Sequence, residues 1–154
     1  MKVSKKSDYA LRVLFSLVEH YGLGPVSIRE LAVRNDVPKR FLEHILLDLK
    51  AMGLVDSTIG KYGGYFLAKS PDDIRMGQVV QRFDNILAPI NCVSVLQYEK
   101  CSQEAKCRFR RVFLQIRNDT ARMMDHATLS QVYAGKPVLP QEVFDETLIE
   151  GAWI

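Results

Sequence analysis

Most of what would mark an enzyme or a membrane protein is missing from this chain. No apolar run among its 154 residues approaches the roughly 20 residues of a membrane-spanning helix. The opening M-K-V-S-K-K-S-D lacks the apolar segment of a secretory signal. Histidine occurs only at positions 20, 44 and 126, scattered through the sequence. No nucleophile–base pair, phosphate-cradling loop or paired-acid constellation is legible, so catalysis is not expected. Internal repeats and low-complexity segments are absent too. Charge of one sign is scarce: the net charge is +3. Its distribution is uneven, however. Residues 1–69 hold eleven basic against seven acidic side chains, and the remainder ten against eleven. A basic N-terminal half suits a polyanionic partner.

Cysteine is scarce and concentrated. All three cysteines fall between Cys92 and Cys107, eight residues apart in the first gap and five in the second. An odd number argues against a closed disulfide framework. The expected location is the cytoplasm, where thiols stay reduced and available to a metal. The segment N-C-V-S-V-L-Q-Y-E-K-C-S-Q-E-A-K-C has no apolar periodicity and reads as a loop. Thiols grouped on a loop can converge on a soft metal such as zinc, Cu(I) or an iron–sulfur cluster. The missing C-x2-C pairs disfavour a structural zinc site. Three thiolates leave a four-ligand site one short, so another group must complete it. The other reading is three free thiols behaving as small apolar side chains.

What is abundant is helical patterning: the chain reads as mainly α with one small β hairpin, a single domain or a small domain with an appendage. Residues 8–20 place Leu11, Leu14, Phe15 and Val18 at helical spacing, with Ser7 or Asp8 as the expected N-cap. Gly24-Pro25 breaks the chain, and Ser27-Ile28-Arg29-Glu30 matches a capping box that opens a second helix. Asn35-Asp36-Val37-Pro38 forms a turn into a third helix at about residues 38–52. Its expected buried face is Phe41, Leu42, Ile45, Leu46, Leu49 and Met52; its outward face carries Lys39, Arg40, Glu43 and His44. Two helices joined by a tight turn make a helix-turn-helix pattern. L-V-D-S-T-I, then G-K-Y-G-G, then Y-F-L-A reads as a glycine-tipped hairpin, a wing with Lys61 and Tyr62 at its tip.

A short helix is expected over 76–86, followed by the cysteine loop. Residues 108–133 form the longest helical candidate, striped by Phe109, Val112, Phe113, Ile116, Met123, Met124 and Ala127. Such a helix would extend ~39 Å and needs a partner for its stripe, which a two-fold dimer supplies. The expected organisation is a winged helix-turn-helix domain over 1–75, a linker helix, cysteine sensor loop (89–107) and dimerisation helix over 76–134, and a tail over 135–154.

In combination, K-K-S-D-Y-A-L-R, S-I-R-E-L-A, V-P-K-R-F-L-E-H-I-L-L-D-L-K-A-M-G-L-V, the wing G-K-Y-G-G-Y-F-L-A and the cysteine loop resemble the bacterial winged-helix regulators that include IscR, NsrR, RirA and CymR. The resemblance covers about residues 1–133. It implies a homodimeric repressor of palindromic promoter DNA that senses iron, redox state or nitric oxide through an iron–sulfur cluster, 2Fe-2S more than 4Fe-4S. CymR-type members lack the cysteine triad, and the alternative is a cluster-free winged-helix regulator with thiol redox sensing or CymR-like control by a partner. Matched by position, Cys92, Cys101 and Cys107 would be the cluster ligands. IscR-type members carry a histidine three residues after the third cysteine, where this chain has Arg110. NsrR-type members use an aspartate of the opposite subunit, which places Asp8 as the fourth ligand. The DNA-facing set by the same resemblance is Arg29, Pro38, Lys39, Arg40, Glu43, His44, Lys61 and Tyr62. Some members have a basic residue just before the wing glycine; here it is Ile59.

Overall fold

The computed structural model describes residues 3–84 and 88–138. Three helices come first: α1 (Lys5–Glu19), α2 (Ile28–Asn35) and α3 (Lys39–Ala51). They are followed by strands β1 (Val55–Thr58) and β2 (Gly64–Leu67), then α4 (Met76–Asp84), α5 (Arg110–His126) and α6 (Leu129–Tyr133). Two short 3-10 turns, Asn91–Val93 and Glu104–Lys106, interrupt the long connection between α4 and α5.

α1 starts earlier than its apolar spacing suggests. The N-cap is Ser4, whose hydroxyl accepts from the Ser7 amide at 3.2 Å, so Asp8 lies within the helix and neither Ser7 nor Asp8 caps it. Of the expected stripe only Leu14 is fully buried; Ala10, Val13 and Leu17 complete the inner face. Ser27 caps α2 as the capping box requires, accepting from the Glu30 amide at 3.2 Å. α2 ends on Asn35, whose Nδ2 donates to the Leu31 carbonyl at 2.9 Å and to Ser16 Oγ on α1 at 3.0 Å. Asp36 then takes a left-handed conformation with φ 52°, which turns the chain into α3.

Leu42, Ile45, Leu46 and Leu49 of α3 are fully buried against α1, α2 and the hairpin, each burial worth about 1.5–3 kcal/mol. Phe41, expected inside, keeps 39% of its surface exposed. β1 and β2 pair antiparallel, Val55 opposite Leu67 and Thr58 opposite Gly64. Val26 extends the hairpin by exchanging two 2.8 Å backbone hydrogen bonds with Tyr65. This close approach requires Gly64, where a Cβ would collide with the Val26 carbonyl.

The expected single helix over 108–133 is divided. α5 ends at His126, about 26 Å from its start, and α6 begins at Leu129. The break is fixed by three contacts: Met76 N to Ala127 O, Leu129 N to Ile74 O, and the Thr128 hydroxyl capping α6 by accepting from the Gln131 amide. Turning there buries Leu129 completely in the core beside α1. α4 occupies the expected place from Met76 to Asp84, while Asn85 and Ile86, the last two residues of that expectation, lie outside the described residues. So does the tail beyond Val138.

Candidate functional site

Two surfaces carry the residues of interest. The first is the outward side of α3. Lys39, Arg40, Glu43 and His44 are all exposed along it, and Pro38 occupies the N-cap position, also exposed. Proline offers no side-chain acceptor, so α3 opens without the cap that Ser4, Ser27 and Thr128 give α1, α2 and α6. An uncapped helix start is a favourable place for an anion. Glu43 is paired only loosely, 4.0 Å from Lys39. Among the described residues Arg29 and Arg40 form no ion pair, which leaves both guanidinium groups available. At the wing tip Lys61 lies 5.4 Å above the Tyr62 ring, and Tyr62 and Ile59 stand free of the fold.

The second surface surrounds the cysteines. Cys92, Cys101 and Cys107 all line one open cavity of about 950 Å³ at the head of α5. Cys101 is exposed, Cys92 and Cys107 are half-buried, and all three are free thiols. Sharing a cavity is not the same as converging. Among the described residues no three His, Cys, Asp or Glu side chains group tightly enough to hold a metal ion. The donor set suits a thiolate-ligated cluster in chemistry but is one ligand short, and the loop would have to draw together around it. Lys100, Lys106 and Arg108 line the same cavity together with Glu99 and Glu104, so its rim carries charge of both signs.

The position that the resemblance would give to a histidine does different work here. The Arg110 guanidinium donates to the Cys92 carbonyl at 2.9 Å and pairs with Glu104 at 2.8 Å. Glu104 in turn accepts from the Tyr98 hydroxyl at 2.8 Å, a hydrogen bond that raises the Tyr98 pKa above its ordinary value. Arg110 is thus a clasp that joins the first cysteine to the segment before the third. Sequence reasoning missed Glu104 and Tyr98, because nothing about their spacing marks them. Asp8 sits on α1, half-exposed and bound to Arg12 through 3.0 and 2.8 Å contacts. A ligand role would require it to leave that partner.

The family described as "Rrf2: Iron-dependent Transcriptional regulator" matches residues 3–135. The chain belongs to the Rrf2 family. An rrf2-like HTH-type regulator of Rhodobacter capsulatus is 39% identical over 142 residues, covering 88% of this chain and 95% of that protein. The structure of CymR, the global cysteine regulator of B. subtilis, superposes with a TM-score of 0.76 at 28% identity, covering 89% of this chain and 99% of that one. IscR of T. potens superposes at 0.68 with 25% identity, covering 97% and 96%. Both the winged-helix fold and a transcription regulator's function follow for this Rrf2 protein. Among its described residues no helix is long and apolar enough to cross a membrane.

Proposed function

We propose that this Rrf2 protein is a cytoplasmic, homodimeric repressor that binds a palindromic promoter site and senses iron, redox state or nitric oxide through its cysteine loop. The observation that carries the reading is the placing of all three thiols on one cavity at the head of α5. Cys92, Cys101 and Cys107 would hold an iron–sulfur cluster, 2Fe-2S in preference to 4Fe-4S, with Asp8 of the partner subunit as fourth ligand. When bound, the cluster supplies a redox-active centre whose potential depends on the charge and hydrogen bonding around it. The chain's own residues do the rest. The cysteine loop closes or loosens, Arg110 fixes its base to α5, and the two α3 helices of the dimer are held at the spacing of successive major grooves. In each groove Lys39 and Arg40 contact phosphates or guanine edges, Glu43 accepts from cytosine, and Arg29, His44, Lys61 and Tyr62 engage the flanking backbone. Regulation needs two loop states that differ in their affinity for the ligand. The domain division follows: 1–75 reads DNA, 76–134 senses and dimerises, and 135–154 is a tail.

The dimer reading draws support from α5, which has no fully buried residue; Phe109, Val112, Ile116 and Met123 are each more than two-fifths exposed. An unpartnered stripe of this size calls for a second copy.

The test is to purify the protein without oxygen and to record its visible spectrum together with iron and acid-labile sulfide. Equal iron and sulfide with thiolate-to-iron bands, lost in Cys101→Ser, is the expected result. A colourless, iron-free protein that reconstitution leaves unchanged would reject the cluster. The ungrouped thiols favour a second reading, a thiol-oxidation switch within the same loop. Oxidant-dependent DNA release from colourless protein would establish it.

A further inference from the structure

A separate groove of about 460 Å³ lies between the first turns of α1 and α3, lined by Lys5, Tyr9, Pro38, Arg40, Phe41 and His44. Its floor is aromatic: the Tyr9 and Phe41 rings meet edge to face at 5.7 Å. Its rim carries the cations of Lys5 and Arg40, and among the described residues the side chains of Lys5, Arg40 and His44 enter no hydrogen bond or ion pair. No carboxylate lines it. The acids next along the two helices face other cations, Asp8 closely with Arg12 and Glu43 loosely with Lys39. The start of α3, which Pro38 leaves without a side-chain cap, opens at the same place.

Resting on the DNA-binding reading of α3, we infer that this groove is a DNA-backbone anchor that seats one phosphate and its deoxyribose. Free cations and an uncapped helix start match the phosphate charge. The aromatic floor matches the sugar, which offers an apolar face. The lining holds no carboxylate, and Lys5 and Arg40 repel a cationic occupant. Arg40 and His44 belong both to the groove and to the outward side of α3, so the strand bound here is the one bordering the groove that α3 enters. Lys5 and Tyr9 of α1 thereby join the DNA-binding residues. Each protomer of a dimer contributes one such anchor.

The test uses the full-length protein, a duplex of about 30 base pairs selected by that protein from a random pool, and an unselected duplex of equal length. Affinity is measured against salt concentration for wild type, Lys5→Ala, Lys5→Glu and, as a control, Lys69→Ala. Losing two phosphate contacts per dimer should make the negative slope of log K against log[salt] shallower by about 2, and Lys5→Ala should weaken both duplexes by a similar factor, about tenfold. Lys5→Glu should weaken both further, and Lys69→Ala should leave the slope unchanged. A wild-type slope in Lys5→Ala, or a loss confined to the selected duplex, overturns the anchor while leaving DNA binding in place. Displacement of bound duplex by millimolar inorganic phosphate at constant ionic strength, seen in wild type and absent in Lys5→Ala, makes the groove a free-anion site instead. Wild-type protein that binds neither duplex overturns the DNA reading and the anchor together.

Discussion

Arg110 shows how one side chain can change the meaning of a motif. Its guanidinium spans from the Cys92 carbonyl to Glu104, closing a loop of eighteen residues with two charge-assisted contacts. Replacing it by Ala should free Cys92 and Cys107 from their half-buried positions. The expected outcome is a several-fold faster reaction of those thiols with a small disulfide reagent, with helical content unchanged; equal rates would show that the loop holds without its clasp. Asp8 is a second residue-scale case. Asp8→Ala removes the Arg12 pair, which is solvent-exposed and costs little stability. It should nevertheless shorten the lifetime of a bound cluster, read as the rate of bleaching in air. An unaltered lifetime would remove Asp8 from the ligand set. The thiols themselves were legible in the sequence because they are close together in it. The clasp was not, because an arginine's hydrogen bond to a carbonyl eighteen positions earlier leaves no trace in spacing or composition.

Among the elements, α2, α3 and the hairpin were readable because breakers and apolar periods point the same way, while α1 was legible as a helix with its cap and inner face misplaced. The division between α5 and α6 was harder. Apolar periodicity carries on across Ala127, and only Thr128 and Gln131, a capping pair at the right separation, mark the new start. Burial of Leu129 decides the matter, and that depends on where α1 lies. Asp48 is a polar junction between elements: it joins α3 to Lys6 of α1 at 2.7 Å and to Arg82 of α4 at 3.0 Å. The hydrogen bond from Lys6 holds its carboxyl below the ordinary value, against the opposing effect of burial and with help from Arg82. A lowered pKa means that the stabilisation is fully present above the unfolded value of about 3.9 and is lost as pH falls through the folded one. Asp48→Asn should therefore lower stability by about 1 kcal/mol at pH 7. The difference should shrink below about pH 4, as thermal melts across that range would record. Gly64→Ala tests the hairpin: its methyl meets the Val26 carbonyl, and a loss of about 1–3 kcal/mol is expected in denaturant unfolding.

The whole molecule is lopsided. One end has a packed core, and the other presents α5, which packs on α4 and leaves Val112, Ile116 and Met123 of its stripe exposed. Ile116→Glu should convert dimer to monomer in sedimentation, with DNA affinity falling because two half-sites can no longer be held by one particle. A dimer that persists would assign the stripe to another partner. The sequence foretold that such a stripe existed. It did not foretell that the helix would be so short, since length is set by where the chain turns back to the core. That return has a further result. α4 and α5 pack directly on each other, with Gly77 leaving room for Met124 and Asp125, and Met76 is bonded to Ala127. These contacts tie the start of α4 to the end of α5, at the end of the pair away from the cysteine loop. Doubling the length of such a loop costs only about 0.6 kcal/mol in closure entropy. Ala88, Val93 and Ser94 are buried and Arg110 clasps the loop, however, so added length belongs in the exposed stretch around Cys101, where it leaves those anchor points in place.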